Sequence, residues 1–87
     1  MYYVLYGNET TTLRKELSSE RQTHAQRDIQ LVKEFAMAIF YEDVINNEEI
    51  ITFAKVMDHR TEDVVFSIEE NGTKPKIYEN EKYFKTT

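Results

Sequence analysis

Eighty-seven residues, 40% of them apolar and 31% charged with only two glycines and one proline, describe a single folded domain spanning residues 1–87. The absence of cysteine excludes disulfides, thiolate metal sites and a thiol nucleophile. The net charge of −5 is concentrated in residues 34–87, where six Lys/Arg meet twelve Asp/Glu, against five and four in residues 1–33, so a general phosphate-binding surface is disfavoured and no direct contact with nucleic acid is expected.

MYYVLYG is β-prone and apolar on both faces (Tyr2, Val4 and Tyr6 against Tyr3 and Leu5), which predicts an interior strand covered on both sides. Gly7-Asn8 starts a turn. The next segment alternates, with Thr11, Leu13 and Leu17 on one side and Thr12, Arg14 and Glu16 on the other. That pattern predicts a half-buried strand forming a hairpin with the first, with Lys15 the exception on the inner side. From Glu20 the period changes. Ala25, Ile29, Val32, Phe35/Ala36 and Ile39/Phe40 recur at helical spacing, with Ser18 or Ser19 as N-cap. One long helix is predicted, ending near Tyr41 because Glu42 and Asp43 at a C-terminus oppose the helix dipole.

Residues 48–57 fit two patterns. As a helix they place Ile50, Phe53, Ala54 and Met57 at i, i+3, i+4 and i+7, with Asn46 as N-cap and Glu49 at N3. As a strand they place Ile51, Phe53 and Met57 on one face, interrupted by Lys55, with the β-branched run Ile50-Ile51-Thr52 in support. The similarity of EFAMAI at 34–39 to TFAKVM at 52–57 favours the helix. Further on, Val64, Phe66 and Ile68 alternate with Val65, Ser67 and Glu69, and Glu70-Asn71-Gly72-Thr73 forms a turn into a last strand. Phe66 is expected opposite Ile77, Val65 opposite Tyr78 and Glu69 opposite Lys74, with Pro75 confining that strand to a sheet edge. The assembled order is β-β-α-(α or β)-β-β, an α+β fold with a small antiparallel sheet and its helix or helices packed on one face.

Chemistry is sparse. His24 lies among polar residues early in the helix, and His59 lies in the turn MDHRTED, where Asp58 and Glu62 are the nearest candidate partners for a small hydrolase. Ser18, Ser19 and Ser67 have no neighbouring base, and no glycine-rich phosphate loop occurs. No catalytic residue, metal ligand or cofactor site is therefore assigned. Tyr2, Tyr3 and Tyr6 lack the basic companions of a base-stacking platform and read as core tyrosines with hydroxyls at the rim.

What stands out is acid. In YEDVINNEE, Glu48 and Glu49 suit the first turn of a helix, whereas Glu42 and Asp43 have no local reason, and Glu62-Asp63, Glu69-Glu70, Glu79 and Glu81 continue the same sign. Glu42, Asp43, Glu48, Glu49, Glu62 and Asp63 are the candidate residues for contacting a basic surface on another protein, in the extreme case a surface that normally receives nucleic acid. Leu31 and Met37, apolar beyond a single helix stripe, are the candidates for a homodimer interface. In general character the chain resembles the small, acidic, cysteine-free proteins of phages and mobile elements in low-GC bacteria. That resemblance implies a protein that binds and inhibits a host protein; the competing expectation is a structural or self-assembling component. MYYVLYGNET has no basic n-region and no stretch approaches about 18 apolar residues, so a cytoplasmic protein with no membrane partner is expected.

Overall fold

The structure is a computed structural model that describes the backbone of residues 1–46 and 51–84, with side chains for 1–41 and 51–84. Five strands and two helices follow in the order β1 (Tyr2–Gly7), β2 (Thr12–Glu16), α1 (Ser19–Arg27), α2 (Gln30–Asn46), β3 (Phe53–Asp58), β4 (Val64–Glu69) and β5 (Lys76–Glu79). The strands form one antiparallel sheet in the order β2-β1-β3-β4-β5. The expected α+β architecture, with helices over one face of a small antiparallel sheet, is what the chain adopts.

The core is a register effect. Val4, Val56 and Phe66 lie opposite one another across three strands, and Ala54 lies opposite Ile68. All five are fully buried, facing Val32, Ala36 and Ile39 of α2. Burial of each large side chain contributes about 1.5–3 kcal/mol, so this patch carries much of the stability of so small a domain. Pairing shifts between Val56 and Met57, which leaves Val65 beside Phe66 in the core rather than on the opposite face.

Several expectations need correction. Residues 53–57, favoured as helix, belong to β3, the central strand; the proposed cap at Asn46–Glu49 falls partly outside the described residues. The buried residues of β3 are Ala54, Val56 and Asp58, while Phe53, Lys55 and Met57 line the opposite, helix-free face. Lys55 therefore interrupts nothing. It lies on the face where its ammonium reaches solvent.

The single long helix is two helices. Asp28 leaves α1 in an extended conformation, and its carboxylate accepts the Gln30 N–H at 3.0 Å, capping α2 as α1 ends. Ser18 is the N-cap of α1, its hydroxyl accepting the Arg21 N–H. α2 then passes Tyr41 and continues to Asn46, so Glu42 and Asp43 lie inside the helix rather than beyond its end.

β1 is interior, as expected, but among the described residues no helix covers its second face. Tyr3 on that face is only 8% exposed because the Arg14 guanidinium lies 3.9 Å from its ring centroid and the His59 ring meets it edge-on at 6.0 Å. β2 pairs with β1 as predicted yet is exposed throughout, and Leu13 is 41% exposed. Only Leu17, past the strand end, reaches the core.

β5 lies at the edge, as Pro75 requires, but its register differs by two from that expected. Ile77 pairs with Ile68, Tyr78 with Ser67, Glu79 with Phe66 and Lys76 with Glu69. The loop is thus Glu70–Pro75, which places Pro75 before the ladder instead of in it. A shift of two preserves which face each side chain occupies.

Candidate protein-contact site

All connections of the sheet gather at its two ends. One end holds Tyr2, the β3–β4 turn 58–63 and residues 80–84. The other holds the β1–β2 turn, Thr52 and the β4–β5 loop.

At the first end, carboxylates are part of the scaffold. Asp58 is 2% exposed; its Oδ2 accepts the Tyr83 hydroxyl at 2.6 Å and its Oδ1 accepts the Arg60 N–H at 2.9 Å. Burial pushes the Asp58 carboxyl up, but the bonds from Tyr83 and Arg60, the Arg60 charge and the N-terminal ammonium outweigh it and hold the group below the usual carboxylate range. Tyr83 shifts the other way, raised by burial and by its bond to Asp58. Asn80 extends this clasp. Its backbone N–H donates to the Val65 carbonyl and its side-chain amide to the Val64 carbonyl, closing the sheet beyond β5. Phe84 then comes against Phe66, with ring centroids 6.4 Å apart.

Of the two candidate acids at this end, Asp63 is paired with Lys82 at 3.2 Å, and hydrogen bonding by Thr61 together with Lys82 holds its pKa below the usual carboxylate range. Glu62 is exposed and holds a φ of 60°, a left-handed conformation uncommon for a residue with a Cβ. Nearby, Glu79 pairs with Lys33. His59 rests on Tyr3 while Asp58 is committed to Tyr83 and Arg60.

The opposite end is built differently. Gly7 has a φ of 151°, and a Cβ there would run into the Thr11 carbonyl oxygen, so only glycine permits this tight turn. The Asn8 side-chain carbonyl accepts from the Thr10 N–H, the Thr10 hydroxyl and the Thr11 N–H, which fixes the loop and presents Glu9. Thr52 N–H donates to the Gly7 carbonyl at 2.7 Å, and Glu70 N–H donates to the Thr52 carbonyl at 2.8 Å. Glu9, Glu69 and Glu70 consequently rim an open cleft of about 600 Å³ floored by Phe53 and Lys55. None of these three carboxylates forms an ion pair among the described residues.

The candidate acids Glu42 and Asp43 belong to this same end. Phe40 and Tyr41 line a groove with Ile51 and the loop Asn71–Pro75, so both borders of residues 42–50 are anchored here. Glu48 and Glu49 lie outside the described residues, and of Glu42 and Asp43 only the helical backbone is described. The described candidates are therefore not gathered on one face. Glu62 and Asp63 lie across the length of β4 from Glu42 and Asp43, and Glu9, Glu69 and Glu70 share the end of the latter pair instead.

The dimer candidates are both half-buried. Leu31 borders a groove of about 390 Å³ between α1 and α2, where the Arg21 guanidinium sits 4.5 Å from the Phe35 ring centroid. Met37 packs against the core cluster.

Sequence reasoning missed Gln22, which is 7% exposed on α1. Its amide accepts the Tyr2 N–H at 2.9 Å and donates to the Tyr2 carbonyl at 2.7 Å, copying a strand partner and fastening α1 to β1. The signal was its position, three residues before Ala25 and seven before Ile29 on the apolar stripe. Among the described residues, no group of three His, Asp or Glu lies close enough to hold a metal ion. No helix among them is long and apolar enough to cross a membrane. The chain matches no family model, and neither the curated proteins nor the solved structures searched contain a match.

Proposed function

We propose that the protein is a non-enzymatic binding module of the cytoplasm that engages a basic surface of another protein through the acid-rich end of its sheet. The observation that supports this is the placement of Tyr41 and Ile51 beside the 70–75 loop. Between them in sequence lie Glu42, Asp43, Glu48 and Glu49, and at the same end stand Glu9, Glu69 and Glu70. Among the described residues, five acids at this end, Glu9, Glu42, Asp43, Glu69 and Glu70, thus meet three lysines, Lys55, Lys74 and Lys76. An imbalance confined to one end steers and orients a cationic partner, whereas the same charges scattered would serve solubility alone. The general character shared with phage and mobile-element proteins fits inhibition of a host protein, including one whose basic site receives nucleic acid.

The test is capture of partners from the native host over a salt series. Wild-type protein should lose its partner progressively as salt rises. Charge reversal at Glu9, Glu69 and Glu70, or at Glu42 and Asp43, should abolish capture, while reversal at Glu62 and Asp63 should spare it. Capture that resists both salt and reversal at the acid-rich end overturns the reading and points to a structural or self-assembling component. Self-association is a separate part of the proposal, a homodimer through the helical layer around Leu31 and Met37. Light scattering that returns a monomer at micromolar concentration contradicts it.

A further inference from the structure

The chain places Asn71 before Gly72 in the β4–β5 loop, and the structure leaves this pair open. Asn8 is fixed by three bonds to its side-chain carbonyl, and Asn80 is fixed through both its side-chain amide and its side-chain carbonyl. Asn71 is exposed, and neither its side chain nor the Gly72 N–H makes a hydrogen bond among the described residues. Gly72 has a φ of 66°, and a Cβ built there meets nothing within 4 Å, so no other part of the described chain crowds the glycine on that side.

We infer that Asn71-Gly72 is a self-modification site at which the loop converts its own amide to a carboxylate. The deprotonated Gly72 backbone nitrogen attacks the Asn71 side-chain carbonyl carbon. A C–N bond forms, the amide nitrogen leaves as ammonia, and a five-membered succinimide results. Water then opens either ring carbonyl. One opening yields aspartate; the other yields isoaspartate, in which the main chain runs through the former side chain. Water enters, ammonia leaves, and no oxidant or enzyme is required. A side chain on the following residue would crowd the attacking nitrogen, and Gly72 has none. At Asn8 and Asn80 the residue that follows is glutamate, and the side chain must first break its hydrogen bonds.

Both products add a negative charge beside Glu69 and Glu70. Isoaspartate also lengthens the backbone of a loop whose span sets the pairing of Ile68 with Ile77. The consequence for partner binding rests on the proposed function: the aged form should hold its partner to higher salt than the fresh form. The modification itself does not rest on that reading.

The experiment incubates the folded protein at neutral and mildly alkaline pH and follows it by intact mass, peptide mapping and isoaspartate detection. The same chain unfolded in urea serves as the reference. Asn71 should acquire the mass difference between an amide and an acid at a rate comparable with the unfolded chain, rising in proportion to hydroxide. Asn8 and Asn80 should stay intact in the folded protein, and Asn71→Gln should remove the main product. An Asn71 that survives in the folded chain while converting in urea overturns the inference, as does conversion of Asn8 or Asn80 at an equal rate. Unchanged partner capture by a fully converted sample would count against the proposed contact surface and leave the modification standing.

Discussion

The two ends of the sheet use the same side chain for opposite purposes. At the clasp end, Asp58 is inaccessible and holds Tyr83 and the Arg60 backbone, while Asp63 and Glu79 are each paired with a lysine. At the other end Glu9, Glu69 and Glu70 stand exposed with no ion-pair partner among the described residues. Net charge alone does not separate these roles. What separates them is whether donors converge on the carboxylate. At the clasp end the returning tail supplies Tyr83 and Lys82, the β3–β4 turn supplies the Arg60 N–H, and α2 supplies Lys33.

The sharpest way to break this contrast is Asp58→Ala. It strips the buried, charged acceptor shared by the Tyr83 hydroxyl and the Arg60 N–H and frees the tail, and the expected loss is about 2–3 kcal/mol in chemical denaturation. Gln22→Leu keeps the bulk but leaves both Tyr2 backbone groups without their partner, for about 1–3 kcal/mol. Tyr83→Phe removes one hydroxyl bonded to a charged group and should cost about 1.5 kcal/mol. A Tyr83→Phe variant as stable as wild type would mean that the tail clasp is ornamental.

The pH dependence follows from the same pair. The folded Asp58 pKa is depressed, so its contribution is present above the unfolded carboxylate value of about 4 and is lost as pH falls through the folded value. Tyr83 and Tyr2 are raised, Tyr2 mainly by burial and then by Asp58. Their contributions are complete below the unfolded tyrosine value of about 10 and disappear as pH rises through the folded values. Denaturation across pH should show both limbs in wild type and a shallower acid limb in Asp58→Asn.

How much of this was legible in the sequence depends on how local the cause is. The Ser18 cap, the β1–β2 hairpin, the edge position of β5 and the two-layer architecture rest on short-range chemistry and were readable. The break at Asp28 was also local, an aspartate able to cap the helix that follows, but an apolar stripe continuing from Ala25 to Ile29 concealed it. β3 was misread because Ala54, Val56 and Asp58 form its inner face, and a buried aspartate does not look like core until Tyr83 arrives from 25 residues away. The β4–β5 register was equally out of reach, since it is set by Ile68 meeting Ile77 and by Asn80 closing the sheet. For the candidate site, acid excess was visible but its sorting was not. Lys82 and Lys33 neutralise particular acids through contacts that only the folded chain creates.

The smallest expected effect is the most telling. If the acid-rich end is free surface, replacing Glu9, Glu69 and Glu70 together by glutamine removes no structural bond and relieves mutual repulsion. Urea denaturation of this triple variant beside Asp58→Ala compares the two ends in one experiment. The account predicts stability within about 0.5 kcal/mol of wild type, or slightly above it, for the triple variant, and a clear loss for Asp58→Ala. A triple variant destabilised as much as Asp58→Ala would show that these carboxylates hold the fold together, and the division between the two ends would be contradicted.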